Sequence, residues 1–298
     1  MKRILTDTLI NLAKHDNNLF LMSGDLGFPF FLEFSKLFPD RFINAGIAEQ
    51  NMIGVAAGLA LSGKTVFVYS IVNFATIRCL DQIRNDLCYQ NLNVKIVGYG
   101  SGLTYGKAGA THSGLEDIAV MQSLPNMMVF SPGNIYEAER VIKMAYESKG
   151  PAYIRLGKLN SNIVCPPATG EETVTIFVTG TLLNEVIKVK DLLFKKGIFV
   201  KIISLPIIKP LDVEVVKSVI KNSKAVLTVE EHSVVGGLGS SIANVLAEEN
   251  INIIFKKIGL PDSYSKIVGS QDYLRHIYLL DAQGISKTII DNLKNGVK

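Results

Sequence analysis

The chain has no tryptophan, three cysteines and four histidines in 298 residues. Cys79, Cys88 and Cys165 form no CxxC pair, and no histidine stands at metal-ligand spacing from them. A disulfide framework and a thiolate zinc site are therefore excluded, and the thiols are expected to be those of a reduced, cytoplasmic protein. Long apolar runs are missing too. The stretch 4–22 is interrupted by Thr6, Asp7, Lys14, His15 and Asp16, which argues against both a membrane span and a signal peptide. Nor does charge of one sign dominate: Lys+Arg 31 against Asp+Glu 27 leaves +4, scattered along the chain. Neither nucleic acid nor a membrane is an expected partner. Internal repeats and low-complexity tracts are absent.

What is present is an ordinary globular composition, 48% hydrophobic and 19% charged, long enough at roughly 150 residues per domain for two domains. Short apolar runs alternate with longer amphipathic segments, the pattern of parallel strands buried by crossover helices. Strands are expected at 19–22, 65–69, 94–97, 127–130 and 152–155, with helices at 50–61, 73–89 and 135–148. After a pattern-free stretch, strands are expected at 174–178, 199–203, 225–229 and 253–258. Their helices fall at 183–196, 213–221 and 238–248, with further ones around Gln271 and 286–294. The expected class is α/β: a first domain over 1–160, a linker over 161–172 and a second domain over 173–298, each a mostly parallel sheet covered by helices.

The densest local anomaly is Asn44-Ala45-Gly46-Ile47-Ala48-Glu49-Gln50-Asn51-Met52, where one carboxylate opens a helix that is otherwise small and apolar. Glu49 has no cation near it in sequence. It reads either as a first-turn glutamate favoured by the helix dipole, or as a half-buried carboxylate of raised pKa able to share a proton with a ligand. Past the third strand, six glycines between Gly98 and Gly114 would let backbone approach a ligand, and His112 ends that loop. A lone histidine is commonly structural, yet a loop following a parallel strand is a usual place for a binding site. Gly24-Asp25-Leu26-Gly27 is either a strand-ending turn or a phosphate approach. Gly236-Gly237-Leu238-Gly239 resembles a phosphate cradle but lacks the spaced acidic residue, so tight helix packing is the better reading.

Several blocks in order make the chain similar to the C-terminal half of transketolases. They are GDLG at 24–27, RFINAGIAEQNMIGVAAGLALSGKTV at 41–66, NFATIRCLDQIRND at 73–86, GATHSGLEDIAVMQSLPNMMVFSP at 109–132, PAYIRLGK at 151–158 and VEEHSVVGGLGSSIANVLAE at 229–248. The layout, a pyrimidine-binding domain followed by a transketolase C-terminal domain, resembles split transketolases whose thiamin-binding halves are separate chains. The resemblance implies thiamin diphosphate as cofactor. Glu49 would share a proton with the aminopyrimidine ring, Phe74 would stack on that ring, and Asp25 would lie beside the cofactor. His112 would act in catalysis and meet the substrate, with Lys158 and Arg155 as further substrate contacts. Members hold the diphosphate and a divalent cation such as Mg2+ through a Gly-Asp-Gly motif, which is absent here. The resemblance therefore implies an N-terminal partner subunit carrying the metal ligands, a second copy of this chain, a heterotetramer, and no metal site in this chain.

Departures from the pattern bear on the substrate. A common Asp before the Thr-His pair is replaced by Ala108, a phosphate-facing histidine by Gly100, and a phosphate-binding arginine by Lys158, which keeps charge without the bidentate fork. Ile71 and Ile77 occupy positions often aromatic around the pyrimidine. A specialised ketol transfer between a sugar or sugar-phosphate donor and acceptor is expected. Tyr69-Ser70, Arg78 and Arg155 keep open a pyruvate-decarboxylating relative, similar to deoxyxylulose phosphate synthase or a 2-oxo acid dehydrogenase beta subunit. A non-catalytic thiamin-binding regulatory protein is the remaining alternative.

Overall fold

A computed structural model describes residues 1–158, 161–167 and 173–295. It is an α/β molecule with two sheets. The larger contains β1 (Leu19–Ser23), β2 (Phe42–Asn44), β3 (Thr65–Ile71), β4 (Val94–Tyr99), β5 (Met128–Phe130), β6 (Ala152–Leu156) and β9 (Ile207–Lys209), in the order β2-β1-β3-β4-β6-β5-β9. The smaller contains β7 (Val174–Val178), β8 (Val200–Ser204), β10 (Ala225–Ser233) and β11 (Ile254–Leu260), in the order β11-β10-β7-β8. Every pairing is parallel except β5 with β9.

Burial on both faces explains the continuous apolar runs. Val66, Phe67 and Val68 of β3 and Ile96 and Val97 of β4 are fully buried, as parallel strands between helix layers must be. Helix Glu49–Leu61 turns Met52, Ile53, Ala56 and Ala57 into the core. Helix Ile135–Glu147 starts at Asn134, whose side chain accepts the Glu137 N–H, an ordinary N-cap.

Three features differ from the pattern read above. The strand β9 lies beyond the expected linker yet adds antiparallel to β5, so the second half of the chain lends an edge to the first sheet. The short edge strand β2 was not expected. The helix expected over 73–89 is broken into Val72–Ala75, a 3-10 turn Ile77–Cys79, Leu80–Gln82 and a π-helical turn Ile83–Cys88. At the break the buried Thr76 hydroxyl donates to the Val72 carbonyl at 2.6 Å, competing with the helix for its own backbone. Of the expected linker, residues 168–172 lie outside the described residues, as do 159–160 and 296–298 at the ends of the expected domains.

Candidate active site

In the order β2-β1-β3 the chain leaves β1 in one direction and returns past it in the other, so a crevice opens at the carboxyl ends of β1 and β3. Gly24 follows β1, Glu49 opens the helix after β2, and Ser70 closes β3. All three meet there. Glu49 is 4% exposed. Its Oε1 accepts from the Ser70 hydroxyl at 3.1 Å and its Oε2 from Arg78 Nη1 at 2.7 Å. The cation missing from its sequence neighbourhood thus comes from 29 residues away. A Cβ on Gly24 would stand 3.2 Å from Ser70 Oγ, a tight approach, and 3.5 Å from Glu49 Oε1, in ordinary contact with the carboxylate.

Above the carboxylate, the Arg78 guanidinium lies 4.0 Å from the centroid of the Phe74 ring. The Phe74 ring in turn meets the His112 imidazole edge to face, centroids 5.2 Å apart. Asn73 holds that histidine's loop: its Nδ2 donates to the carbonyls of Thr111 and Ser113 at 3.1 and 3.0 Å. Its buried Oδ1 has no partner. Glu49, Arg78, Phe74 and His112 therefore form one contiguous group, assembled from three separate segments of sequence. Asp25 sits beside it on the turn Asp25–Phe31, and its N–H donates to the Gly46 carbonyl at 3.0 Å.

Two expected site residues lie elsewhere. Arg155 is 2% exposed, and its Nε bonds Asp117 Oδ2 at 2.7 Å. Its Nη2 bonds the carbonyls of Gly114 and Glu231 at 2.7 and 3.0 Å. Burial works against that charge, and Asp117 with Tyr153 and Glu231 together offset it, holding the guanidinium pKa above its ordinary value. Tyr153, whose hydroxyl also donates to Asp117, has its pKa driven well up by burial. With Nε and Nη2 committed to protein acceptors inside the fold, Arg155 is placed as a clasp between the two halves of the chain, apart from the group around Glu49.

Lys158 stands with Lys2, Arg3, Thr6, Phe30 and Tyr99 around a cleft of about 590 Å³. Lys2 lies over the Phe30 and Tyr99 rings at 3.3 and 4.1 Å. Burial, and next the charge of Lys158, bring the Lys2 pKa down to about 8. Neither lysine has an ion-pair partner among the described residues, which leaves two crowded cations facing the cleft.

The glycines of the loop after β4 serve protein packing, contrary to the ligand approach expected of them. Gly100, with φ +89°, leaves room for the Tyr105 ring, and Gly114 for Val72. Gly102 lies against Glu231, and Gly106 against Leu274 and the Gly269 carbonyl. The Gly236–Gly239 segment packs tightly as expected, and the anion at its helix N-terminus is internal: Glu230 accepts from Leu238 N and Gly239 N, both at 2.8 Å. Burial raises the Glu230 pKa. Asp117, Glu231 and Arg275 escaped sequence reading. Their partners are 36 or more residues distant, and charges in isolation read as surface. Among the described residues no group of three or more His, Cys, Asp or Glu is arranged to hold a metal ion, and no helix is long and apolar enough to cross a membrane.

Comparison with known proteins agrees with this architecture. Residues 1–163 match the family model for the transketolase pyrimidine-binding domain, and 167–291 that for the transketolase C-terminal domain. A chain described as a transketolase C-terminal section from Methanocaldococcus jannaschii is 40% identical across 99% of this chain and 96% of its own length. An apulose-4-phosphate transketolase subunit of Actinobacillus succinogenes is 36% identical across 85% of each chain. A split-gene transketolase solved as an inactive beta4 tetramer superposes with a TM-score of 0.88 at 34% identity, covering 98% of both chains. This chain belongs to the transketolase family of transferases and carries its pyrimidine-binding and C-terminal domains.

Proposed function

We propose that this chain is the C-terminal subunit of a split transketolase and forms the aminopyrimidine side of a thiamin diphosphate site. The observation that carries the reading is Glu49: a buried carboxylate at the switch point of the sheet, bounded by Ser70 and Arg78 and overlooked by the Phe74 ring. A carboxylate joined through Arg78 to an aromatic face offers an aminopyrimidine a proton-sharing acceptor and a stacking surface, and the lack of a side chain at Gly24, beside Ser70 and Glu49, leaves the approach open. The diphosphate end has no counterpart here, since the sequence lacks Gly-Asp-Gly. We therefore assign the ligands of Mg2+ or another divalent cation to an N-terminal companion chain. Two copies of each chain would make a heterotetramer.

In this reading Glu49 faces the ring nitrogen and shares a proton with it, and its burial keeps water from that contact. Phe74 supplies the flat apolar face, and Asp25, through its backbone bond to Gly46, fixes the approach to Glu49. His112, edge-on to Phe74, is the group within reach of a substrate oxygen. When bound, thiamin diphosphate supplies the electron sink through which a two-carbon ketol unit passes from ketose donor to aldose acceptor. Lys158, which with Lys2 lines a cleft apart from the Glu49 group, is kept as a proposed contact for an anionic end of the sugar. Relatives specialised for apulose 4-phosphate support a dedicated sugar pathway, and because the relatives matched over their full length are transketolase chains, the pyruvate-decarboxylating reading is the weaker one. The three free cysteines support a cytoplasmic setting. We keep the domain division at 1–160 and 173–298, with β9 lent back to the first sheet.

Glu49→Ala tests the reading. In the assembled two-chain enzyme it is expected to lower turnover by about 10²–10⁴-fold, the usual worth of a positioned proton-transfer group, with the melting temperature kept. Full activity in that variant would refute the assignment.

A further inference from the structure

The loop that carries His112 is held from both domains: Asn73 takes the carbonyls of Thr111 and Ser113 beside the histidine, and the second domain meets the loop's first half. Gly102 and Gly114 close its base by reciprocal backbone bonds of 3.0 Å each. Just inside that base, Leu103 N donates to Glu231 Oε1 at 2.7 Å. Gly102, with φ +60°, comes so near that a Cβ would stand 2.5 Å from the same oxygen. Glu231 is 2% exposed and is itself aimed: Gln271 Nε2 reaches its Oε1 at 2.7 Å, and Arg275 Nε its Oε2 at 2.6 Å. Further along, Gly269 N donates to the Gly106 carbonyl at 3.3 Å, and a Cβ on Gly106 would meet Leu274 Cδ1 at 2.3 Å. Each contact brings a side chain or backbone of the second domain against the loop where a larger residue would block it. Gly102 and Gly106 are thereby accounted for.

We propose that Glu231, aimed by Arg275 and Gln271, is a positioning residue that sets the His112 loop against Phe74, so the second domain tunes the reaction without touching substrate. The proposal rests on the reading of His112 as a site residue. The two Glu231 oxygens divide the work: Oε1 accepts from Leu103 N of the loop and from Gln271, whereas Oε2 accepts from Arg275 and, at 3.4 Å, from the Thr181 hydroxyl.

Two double variants exploit that separation. Glu231→Gln with Arg275→Gln removes both charges and keeps an acceptor for Leu103 N; Glu231→Met with Arg275→Met keeps bulk and removes the acceptor. In the two-chain enzyme the methionine pair is expected to lose roughly tenfold or more in kcat, with KM for the ketose donor moved less than about threefold. Amide exchange across 102–114 in the full chain should accelerate at least about tenfold in the same variant. The glutamine pair should stay within about threefold of wild type on both readouts. Gly102→Ala, which leaves the Glu231–Arg275 pair in place, guards against a methionine pair that fails to fold, and it should reproduce the kcat loss. Equal exchange and equal kcat in the two pairs, or an unchanged Gly102→Ala, would overturn the proposal. A fully active His112→Asn would refute the underlying site reading, whereas the exchange data would still report on the clasp.

Discussion

Two ion pairs in this molecule share one N–O distance, 2.7 Å, and differ in everything around them. Arg78–Glu49 stands in the crevice with the arginine side chain 42% exposed; Arg155–Asp117 is sealed at 2% and 0%. In the sealed pair two guanidinium nitrogens are spoken for, by the carboxylate and by the carbonyls of Gly114 and Glu231. In the open pair a buried carboxylate is matched by a cation that water can reach. The lesson is that a carboxylate meant to meet a ligand needs a provisional partner, whereas one meant to hold domains together needs a permanent one. Taking a buried charge out of water is costly, so Asp117 tolerates no loss of its arginine, while Glu49 can trade Arg78 for another donor.

The comparison can be broken most sharply at the sealed pair. Asp117→Asn strands Arg155 and should cost about 3–5 kcal/mol of stability, read from urea unfolding, with the loss falling on the contacts between domains. A cost near zero would show that the clasp is not what joins the halves. A second sealed cation gives a pH test. Burial lowers the Lys95 pKa to about 7, while its Nζ reaches the carbonyls of Ser148 and Gly150 at 3.0 and 2.7 Å at the end of helix Ile135–Glu147. Because the native value lies below the unfolded one, the unfolded chain binds the additional proton between about pH 7 and 10. The contribution of Lys95 to stability therefore rises with pH across that window. Lys95→Met should erase that slope, and it should cost about 1–3 kcal/mol by orphaning the carbonyls. A smaller effect on folding than at the sealed pair is expected at the open one. Arg78→Met leaves a buried carboxylate with Ser70 as its remaining partner and should cost about 1–3 kcal/mol, yet tighten thiamin diphosphate binding several-fold by vacating Glu49 and the Phe74 face. Weaker binding would mean that Arg78 belongs to the loaded site.

How much of this could be read beforehand follows from how local each signal is. The apolar runs of β3, β4, β6 and β7 announced themselves because burial on both faces leaves a continuous local pattern. The three-residue strand β2 did not, since an edge of that length has no period to detect. β9, flanked by Pro206 and Pro210, becomes a strand only because β5 offers an edge, a tertiary event. The same holds for the site. Glu49 was conspicuous as a lone carboxylate on a helix of small residues, and Phe74 and His112 were legible by family resemblance. The partnership of Glu49 with Arg78 was not, because 29 residues separate them. The clasp of Arg155 was not legible either, because Asp117 stands 38 residues away and a charged residue at a strand end resembles a ligand contact. The loop glycines were misread for a related reason: freedom of backbone approach looks alike whether the neighbour is a ligand or Glu231.

The most direct test is calorimetric titration of thiamin diphosphate with Mg2+ into this chain alone and into its mixture with a companion carrying the Gly-Asp-Gly motif. Binding in the mixture and none by the isolated chain is the predicted result, because this chain supplies the pyrimidine side and its partner the diphosphate side. Tight binding by the chain alone, or no binding in the mixture, would contradict a cofactor site divided between two chains.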